Sequence, residues 1–337
     1  MRRLMLVGLA ACAPVLEDNT PYVDDARVLA VRVEPAEVIA GAEARLVALY
    51  ADASGDLSEG EVDWSFCTVP KPLAELGPIA RTCLDPASDG LAPIGTGVDV
   101  VGTVPVDVCS LFGPNPPPPL DGQPAGRPTD PDVTGGYYQP VVGFAGDGDP
   151  TLVSVRVRCG LANVSQEAYI AWNQAYRSNE NPSVAGLVLD RASGPVVVGE
   201  DAVDVSPGEQ LSLVVAWPEC PEVGVCGDGV CSSDEDAQGC AEDCTTPVGC
   251  GGAEHYVVYD ANTGGLAPHR EAISATWFVT GGELSEARTG RASDDVATTV
   301  DNTWTAPAEA GPVWGAVVLR DERGGVDFFR FRVNVTL

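Results

Sequence analysis

The chain has 337 residues, which is enough for two domains with separate hydrophobic cores. It carries 49 acidic and 19 basic side chains and has a formal net charge of −30 at pH 7. Such a charge repels nucleic-acid phosphates and anionic lipid headgroups, so nucleic acid is excluded as a partner. The 38 glycines and 28 prolines are typical of many short strands joined by turns.

The N-terminus has the pattern of an export signal. Arg2 and Arg3 precede an apolar run from Leu4 to Ala11, and Cys12 follows the run. The run is too short for a permanent membrane span, which needs about 20 apolar residues. Its end together with the cysteine, LAAC, resembles the lipobox of bacterial lipoproteins. This resemblance implies that residues 1–11 are a signal peptide and that an acylated Cys12 anchors the protein to a membrane, with the outer membrane favoured.

Export places the cysteines in an oxidising compartment, where disulfides form and persist. The chain has 11 cysteines, and setting Cys12 aside leaves an even number. The sequence alone does not dictate how they pair. The disulfide candidates are Cys67, Cys83, Cys109, Cys159, Cys220, Cys226, Cys231, Cys240, Cys244 and Cys250.

Residues 12–25 lack periodicity and are predicted to be a tether, and residues 26–183 are predicted to be a first β-sandwich domain. Apolar residues that alternate along the chain predict its strands. Three predicted strands each have an apolar face. These faces consist of Leu29, Val31 and Val33 in the first strand, Trp64 and its neighbours in the second, and Val153, Val155, Val157 and Cys159 in the third. Ser154, Arg156 and Arg158 lie on the opposite face of the last strand, which is predicted to be wet. Residues 137–144 and 152–159 flank a GDGDP connector and predict a hairpin.

Two features interrupt the strands of the first domain. Residues 113–132 are rich in proline, which cannot donate ladder hydrogen bonds, and they predict an exposed loop. This loop is interpreted as a stiff insertion, with a proline-rich docking site as the alternative. A helix is predicted over residues 165–177, capped by Asn163 or Ser165. Its apolar stripe, which includes Trp172, is expected to pack onto the sheet or the domain junction.

A second β-sandwich domain is predicted over residues 184–337. Alternating apolar residues predict strands at Leu211–Val215, Ala275–Val279, Trp314–Val318 and Phe329–Val335, and DERGG at residues 321–325 predicts a hairpin connection. Both halves repeat an order of proline, glycine, alternating strand and tryptophan strand. This order resembles the immunoglobulin-like domains of bacterial surface proteins. The resemblance implies an all-β fold of two immunoglobulin-like antiparallel β-sandwich domains, with one short helix and a disulfide-rich insertion.

The disulfide-rich insertion covers residues 220–250. The spacing of Cys226, Cys231, Cys240 and Cys244 resembles the short cysteine-rich repeats of predicted myxobacterial surface proteins, which implies disulfides. Zinc is not expected, because paired CxxC spacing and histidine are both missing from the run. The carboxylates of the insertion give an alternative role, a calcium site, since Ca²⁺ takes six to eight oxygen ligands. The calcium candidates are Asp228, Asp234, Glu235, Asp236 and Asp243.

The sequence contains no recognisable catalytic motif. His255 and His269 lack the spacing of a metal site, and no nucleophile elbow, phosphate-binding loop or dinucleotide fingerprint occurs. We therefore expect a protein that is not an enzyme and has no cofactor. The expected function is that of a cell-envelope lipoprotein with a binding or structural role at the cell surface, in contact with a protein or a glycan. The alternative is a calcium-dependent adhesion module that uses the acidic insertion.

Overall fold

The computed structural model describes residues 21–56, 58–72, 74–114, 132–146, 148–199, 201–221, 226–227, 240, 242 and 249–337. Strands make up just under half of these residues, and they pair mostly antiparallel into two β-sandwiches that follow one another along the chain. The predicted all-β, immunoglobulin-like fold class is therefore confirmed.

The first sandwich consists of two sheets. Its strands are β1 (Arg27–Glu34), β2 (Glu37–Val38), β3 (Glu43–Asp52), β4 (Gly55–Asp56), β5 (Asp63–Cys67), β6 (Leu91–Thr96), β7 (Asp99–Thr103), β8 (Gly136–Phe144) and β9 (Thr151–Arg158). One sheet has the order β1-β3-β4, with β7 also paired to β3, and the other has the order β2-β9-β8-β5-β6. The strands pair antiparallel except β2, which lies parallel to β9. The pairing of β8 with β9 confirms the predicted hairpin.

The core of the first sandwich lies between its two sheets. Trp64 is buried there as predicted, and its indole N–H donates to the carbonyl of Gly97 at 2.9 Å. The shared-face prediction for the first strand was right for Val31 and Val33, which lie in this core, and wrong for Leu29. A break in the register of β1 between Val28 and Ala30 turns Leu29 to the other side of the sheet.

Two disulfides attach irregular segments to the second sheet of this sandwich. Cys67, on β5, is bonded to Cys83 in a 3₁₀ turn at Arg81–Leu84. Cys109 is bonded to Cys159, which follows β9, and it belongs to a four-residue helix, α1 (Val108–Leu111). Sequence periodicity predicted one helix and missed α1, because a single turn is too short to show a period of 3.6 residues.

The predicted helix is present as α2 (Gln166–Ala175). Ser165 is the capping residue, and its Oγ accepts a hydrogen bond from the amide of Ala168 at 3.1 Å. Trp172 is buried as expected, and with Tyr176 it packs against a two-stranded hairpin of the second half of the chain.

The second sandwich contains ten strands in two sheets, and the hairpin that contacts α2 projects from it. The strands are β10 (Gly186–Asp190), β11 (Val196–Val197), β12 (Val203–Val205), β13 (Gln210–Ala216), β14 (His255–Asp260), β15 (Gly265–Arg270), β16 (Ile273–Val279), β17 (Glu283–Leu284), β18 (Arg288–Arg291), β19 (Thr299–Thr305), β20 (Gly311–Arg320) and β21 (Val326–Val335). The sheets have the orders β11-β10-β13-β19-β17 and β12-β21-β20-β16-β18, and β14 pairs with β15 as the hairpin. Residues 321–325 connect β20 to β21 as predicted.

An apolar interface joins the two sandwiches. β20 is buried on both faces: Val317 and Leu319 face the core of the second sandwich, whereas Trp314, Ala316 and Val318 face the first. Their partners across the interface are Val23, Leu29, Ala30, Leu49 and Ala51. The end of the predicted tether is part of this contact, because residues 21 and 23 exchange backbone hydrogen bonds with Val279 of β16, both at 2.9 Å.

Candidate functional site at the junction of the two sandwiches

Charged side chains are buried together where the sandwiches meet, beside the apolar interface. We call this cluster the ionic junction; it consists of Glu37, Tyr138, Arg156, Tyr176, Asn179, Glu254, Glu271, Asp321 and Arg323. Buried charges are tolerated in proteins when they are paired and hydrogen-bonded. The pairing in the ionic junction has two centres, one in each sandwich.

Arg156 is the centre of the first group. It lies on β9, and its Nε donates to Glu37 Oε2 on β2 at 2.7 Å, with both side chains almost fully buried. Its other guanidinium nitrogens donate to the Tyr138 hydroxyl at 3.1 Å and to Thr134 Oγ1 at 2.7 Å. The Tyr176 hydroxyl donates to the second oxygen of Glu37. The prediction that Arg156 lies on a wet face was therefore wrong, because the segment after α2 and the β20–β21 turn cover this part of the sheet.

Arg323 is the centre of the second group. It lies in the β20–β21 turn, yet its side chain is only 3% exposed. Nε donates to Glu271 Oε1 at 2.6 Å and Nη2 donates to Glu254 Oε2 at 2.8 Å. Nη1 donates to the carbonyl of Arg177 at 3.1 Å, and the guanidinium lies 4.3 Å from the centre of the Tyr256 ring.

Hydrogen bonds link the two centres directly. The Tyr138 hydroxyl, which accepts from Arg156, donates to the backbone carbonyl of Arg323 at 3.1 Å. Asn179 lies between the centres: its amide donates to Glu37 Oε2 at 3.4 Å, and its Nδ2 donates to Asp321 Oδ2 at 3.2 Å. The ionic junction is therefore one network that spans both sandwiches.

The charges of the ionic junction do not balance if every acid is ionised. Its four carboxyl groups, on Glu37, Glu254, Glu271 and Asp321, face two guanidinium groups. Burial raises the pKa of Glu254 to about 7, and burial also raises the pKa of Glu271 and of Asp321 above their ordinary values. Folding therefore favours the protonated form of these buried acids relative to the unfolded chain.

The ionic junction holds the two sandwiches in position, and its charged groups are not accessible to a substrate. Arg156, Glu271 and Arg323 are almost completely shielded from solvent, so no dissolved molecule contacts their charged groups. Removing one partner from such a network leaves an unpaired buried charge, whereas the intact network admits one geometry. The ionic junction therefore sets the orientation of the two sandwiches relative to each other.

Salt bridges at the edge of the apolar interface support the same orientation. Arg32 of β1 donates to Asp327 of β21 at 2.7 Å, and Arg330 of β21 lies 3.0 Å from Asp56 of β4. These pairs are only partly exposed and cross from one sandwich to the other.

The structure places the predicted disulfide candidates as follows. Besides the two disulfides of the first sandwich, Cys220 is bonded to Cys250 and Cys226 to Cys240. Cys12, Cys231 and Cys244 lie outside the described residues, as do the calcium candidates Asp228, Asp234, Glu235, Asp236 and Asp243 and most of the proline-rich loop. Within the described ranges, no group of three or more histidine, cysteine or acidic side chains is arranged to hold a metal ion.

Few features of the sequence pointed to the ionic junction. Arg323 was predicted only as part of a hairpin connection, and Glu37 follows the X-Pro step at Glu34-Pro35 without a helical or strand period. One usable signal was present: Arg323 and two acids occur together in a short glycine-rich turn, where a charged side chain has no strand neighbour to pair with. The acidic partners of Arg323, Glu254 and Glu271, are distant in sequence.

The part of the chain that the structure describes has no helix of the length and apolarity that a bilayer crossing requires. No protein-family model matches the chain, and no curated protein matches it.

Several solved structures are similar to the chain at low identity. The D00-D0 domain of intimin shares 7% identity with a TM-score of 0.23, over 93% of this chain and 99% of that one. The Yersinia pseudotuberculosis adhesin InvE shares 10% identity with a TM-score of 0.21, over 91% and 58%. The C-terminal domain of the Streptococcus pyogenes antigen I/II-family protein AspA shares 11% with a TM-score of 0.22, over 89% and 94%. At such TM-scores the chains do not superpose as wholes, so the fold follows from the strand pairing described above.

Proposed function

We propose that the chain is a non-catalytic lipoprotein of the cell envelope with a binding or structural role at the cell surface. The observation that carries this proposal is the ionic junction. Domains within one chain move relative to each other by default unless their interface is large and apolar. Here an apolar interface and a buried network of ion pairs act together, so loops of both sandwiches form one surface of fixed geometry. Such a surface suits contact with a protein or a glycan.

The disulfides support the exported location in this proposal. Four disulfides occur among the described residues, and such bonds persist in oxidising compartments and are rare in the cytosol. The LAAC sequence ending at Cys12 supports the lipid anchor, and the spacing of the cysteine-rich insertion supports a role like that of myxobacterial surface proteins. The acidic surface keeps such a protein soluble outside its anchor.

The intact mass of the protein purified from its native membrane tests this proposal. We expect a chain that lacks residues 1–11, carries acyl chains on Cys12 and has no free thiol among its remaining ten cysteines. A Cys12→Ser variant is the matched control, and it should lose the acyl mass and leave the membrane fraction. An unprocessed N-terminus together with freely titratable thiols would contradict the proposal.

Calcium-dependent adhesion is the second candidate function, and the density of carboxylates in the cysteine-rich insertion favours it. Residues 228–243 contain six acidic residues, among them the five calcium candidates, in a segment that is poor in apolar residues. In this alternative, calcium orders the insertion and the insertion contacts the partner. Calorimetric titration with calcium, repeated on a variant carrying Asp234→Asn and Asp236→Asn, separates it from the first candidate.

A further inference from the structure

A cleft of about 360 Å³ opens on the second sandwich beside the ionic junction. We call it the arginine cleft, and residues 272–274 of β16 and its approach, residues 288–291 of β18 and residues 320–322 line it. In the sheet register, Ser274 lies opposite Gly290 on one side and Arg320 on the other, and Thr276 lies opposite Arg288. Because residues directly opposite each other share a face of the sheet, both arginines lie on the same face as the two hydroxyl groups.

Gly290 shapes the floor of the arginine cleft. A Cβ at this position would lie 2.8 Å from the carbonyl oxygen of Ile273 and 3.1 Å from the Cα of Ser274, so a side chain here would collide with the backbone of β16. The glycine therefore lets β18 approach β16 closely at the cleft. The volume of the cleft lies within the usual range for small-molecule sites, about 300–1,000 Å³.

Three arginines line the cleft: Arg291 pairs with Asp295 at 3.1 Å, whereas Arg288 and Arg320 bind neutral groups. Arg320 donates to Thr276 Oγ1 at 3.1 Å and to the carbonyl of Leu29 at 3.3 Å. Arg288 donates to Ser274 Oγ at 2.8 Å. Among the described residues, neither forms a salt bridge. A guanidinium has five N–H donors, so both arginines have donors in excess of these contacts.

This lack of carboxylate partners is unfavourable for the free protein. Arg320 is largely buried, and burial together with the charge of Arg288 lowers the pKa of Arg320. The two arginines classed as fully buried both have carboxylate partners: Arg156 pairs with Glu37, and Arg323 pairs with Glu254 and Glu271. A bound anion would supply the negative charge that Arg288 and Arg320 do not receive from the protein itself.

Both acidic side chains that line the arginine cleft are engaged by other groups. Asp321 accepts hydrogen bonds from the amides of Arg323 and Gly325, both at 2.8 Å. Glu322 lines the same cleft, but its Oε1 accepts from the Tyr256 hydroxyl at 2.7 Å and lies 2.6 Å from Nε2 of His269. Its carboxylate is therefore held toward the β14–β15 hairpin. At that end of the cleft it offers an acceptor for the hydroxyl groups of a ligand, while the arginines offer donors at the other end.

We infer that the arginine cleft binds an acidic monosaccharide unit, with its carboxylate on Arg288 and Arg320 and its ring hydroxyls on Ser274 and Glu322. The pairing of cationic donors with hydroxyl and carboxylate acceptors matches the groups of such a sugar, and the volume admits one ring. This inference rests on the proposed binding role and names the chemistry of a partner for it.

Titration calorimetry on the purified full-length protein tests the inference, with sodium glucuronate, glucose and sodium sulfate as probes. We expect glucuronate to bind at least ten-fold more tightly than either glucose or sulfate, and its affinity to fall as salt is raised. Arg288→Gln should weaken glucuronate binding about ten-fold or more, because it removes a charge-assisted hydrogen bond. Arg288 is exposed, so this variant should keep the melting temperature of the wild type.

Arg332→Gln is the matched control, because it removes the same charge from an exposed position of β21 outside the cleft. It should leave glucuronate affinity unchanged. Equal binding of glucose and glucuronate, binding of sulfate in preference to glucuronate, no binding of glucuronate, or an equal loss in both variants would overturn the inference. The two proposals are tested separately. If glucuronate does not bind but the intact mass shows an acylated Cys12 and no free thiol, the sugar site is overturned and the envelope role stands.

Discussion

Single residues in this protein take their roles from distant partners. Arg323 occupies a turn, where most charged side chains extend into solvent, yet it is buried between Glu254 and Glu271 and stacked on Tyr256. The turn positions it, but the hairpin of residues 255–270 and its flanks supply the acids that bind it. The ion pairs of Arg323 therefore depend on the tertiary structure, although the sequence DERGG predicted that this residue lies in a connection between strands.

Replacing Arg323 with glutamine is expected to lower the free energy of unfolding by about 3–5 kcal/mol, since Glu254 and Glu271 lose their cation while they remain buried. Urea unfolding monitored by tryptophan fluorescence measures this change. Arg81→Gln, at an exposed position of the 3₁₀ turn, is the control and should change the free energy by less than about 0.5 kcal/mol. Equal stability of the two variants would show that the ionic junction does not stabilise the fold.

At the scale of elements, β20 and β4 show how a strand acquires a second buried face. β20 is buried on both sides, because the first sandwich covers Trp314, Ala316 and Val318. The two-residue strand β4 reaches this contact through Gly55, whose backbone has a φ of +114°. A Cβ at Gly55 would lie 2.9 Å from two atoms of the Trp314 side chain. The glycine is needed for both its conformation and its close approach.

Gly55→Ala is expected to destabilise the protein more than Gly77→Ala, by about 1–3 kcal/mol, because the added methyl group overpacks the Trp314 contact. Gly77 is a matched control: its φ is +115°, and a Cβ there meets nothing within 4 Å. The backbone strain of an alanine is thus the same in both variants, and only the contact differs. Thermal and urea unfolding measure the difference, and equal losses would mean that β20 is not covered as described.

At the scale of the whole molecule, a chain of net charge −30 keeps uncompensated acids inside its interdomain junction. Glu254 faces Arg323, Glu180 and Asp321, and burial is the main reason why its pKa rises to about 7. A group whose pKa is higher in the folded state than in the unfolded state favours folding at low pH. That stabilisation is complete below the unfolded pKa, about 4.5, and is lost as the pH rises through 7.

The free energy of unfolding is therefore expected to fall by roughly 2–3 kcal/mol between pH 4.5 and pH 7.5 through Glu254. Carboxyl groups whose pKa is lowered, such as Asp99 beside Arg45, titrate below this window and do not mask the effect. Urea unfolding at a series of pH values measures the slope. Glu254→Gln should reduce the slope, with the remainder due to groups such as Glu271 and Asp321 whose pKa is also raised. An unchanged slope in that variant would assign the pH dependence to other groups.

Much of the fold was predictable because it depends on local periodicity. Alternation along residues 137–159 predicts the β8–β9 hairpin, and the stripe of α2 together with Ser165 predicts that helix and its cap. The burial of Trp64 follows from the same pattern. Leu29 and Arg156 show the limit: a register break and a cover formed by a later segment reverse which way a side chain faces, and neither is visible in the local sequence.

The sequence by itself determined the all-β class, the paired halves of the chain, the excess of negative charge and the candidates for lipid and disulfide chemistry, because these depend on composition and on spacing between near neighbours. Only the tertiary structure decided the four cysteine pairings, the double burial of β20, the ionic junction and the arginine cleft. The physical reason is that pairs such as Glu37 with Arg156, or Arg320 with Leu29, are far apart along the chain. Glu37 meets Arg156 only when strands β2 and β9 of the first sandwich pair, and Arg320 meets Leu29 only when the two sandwiches pack together.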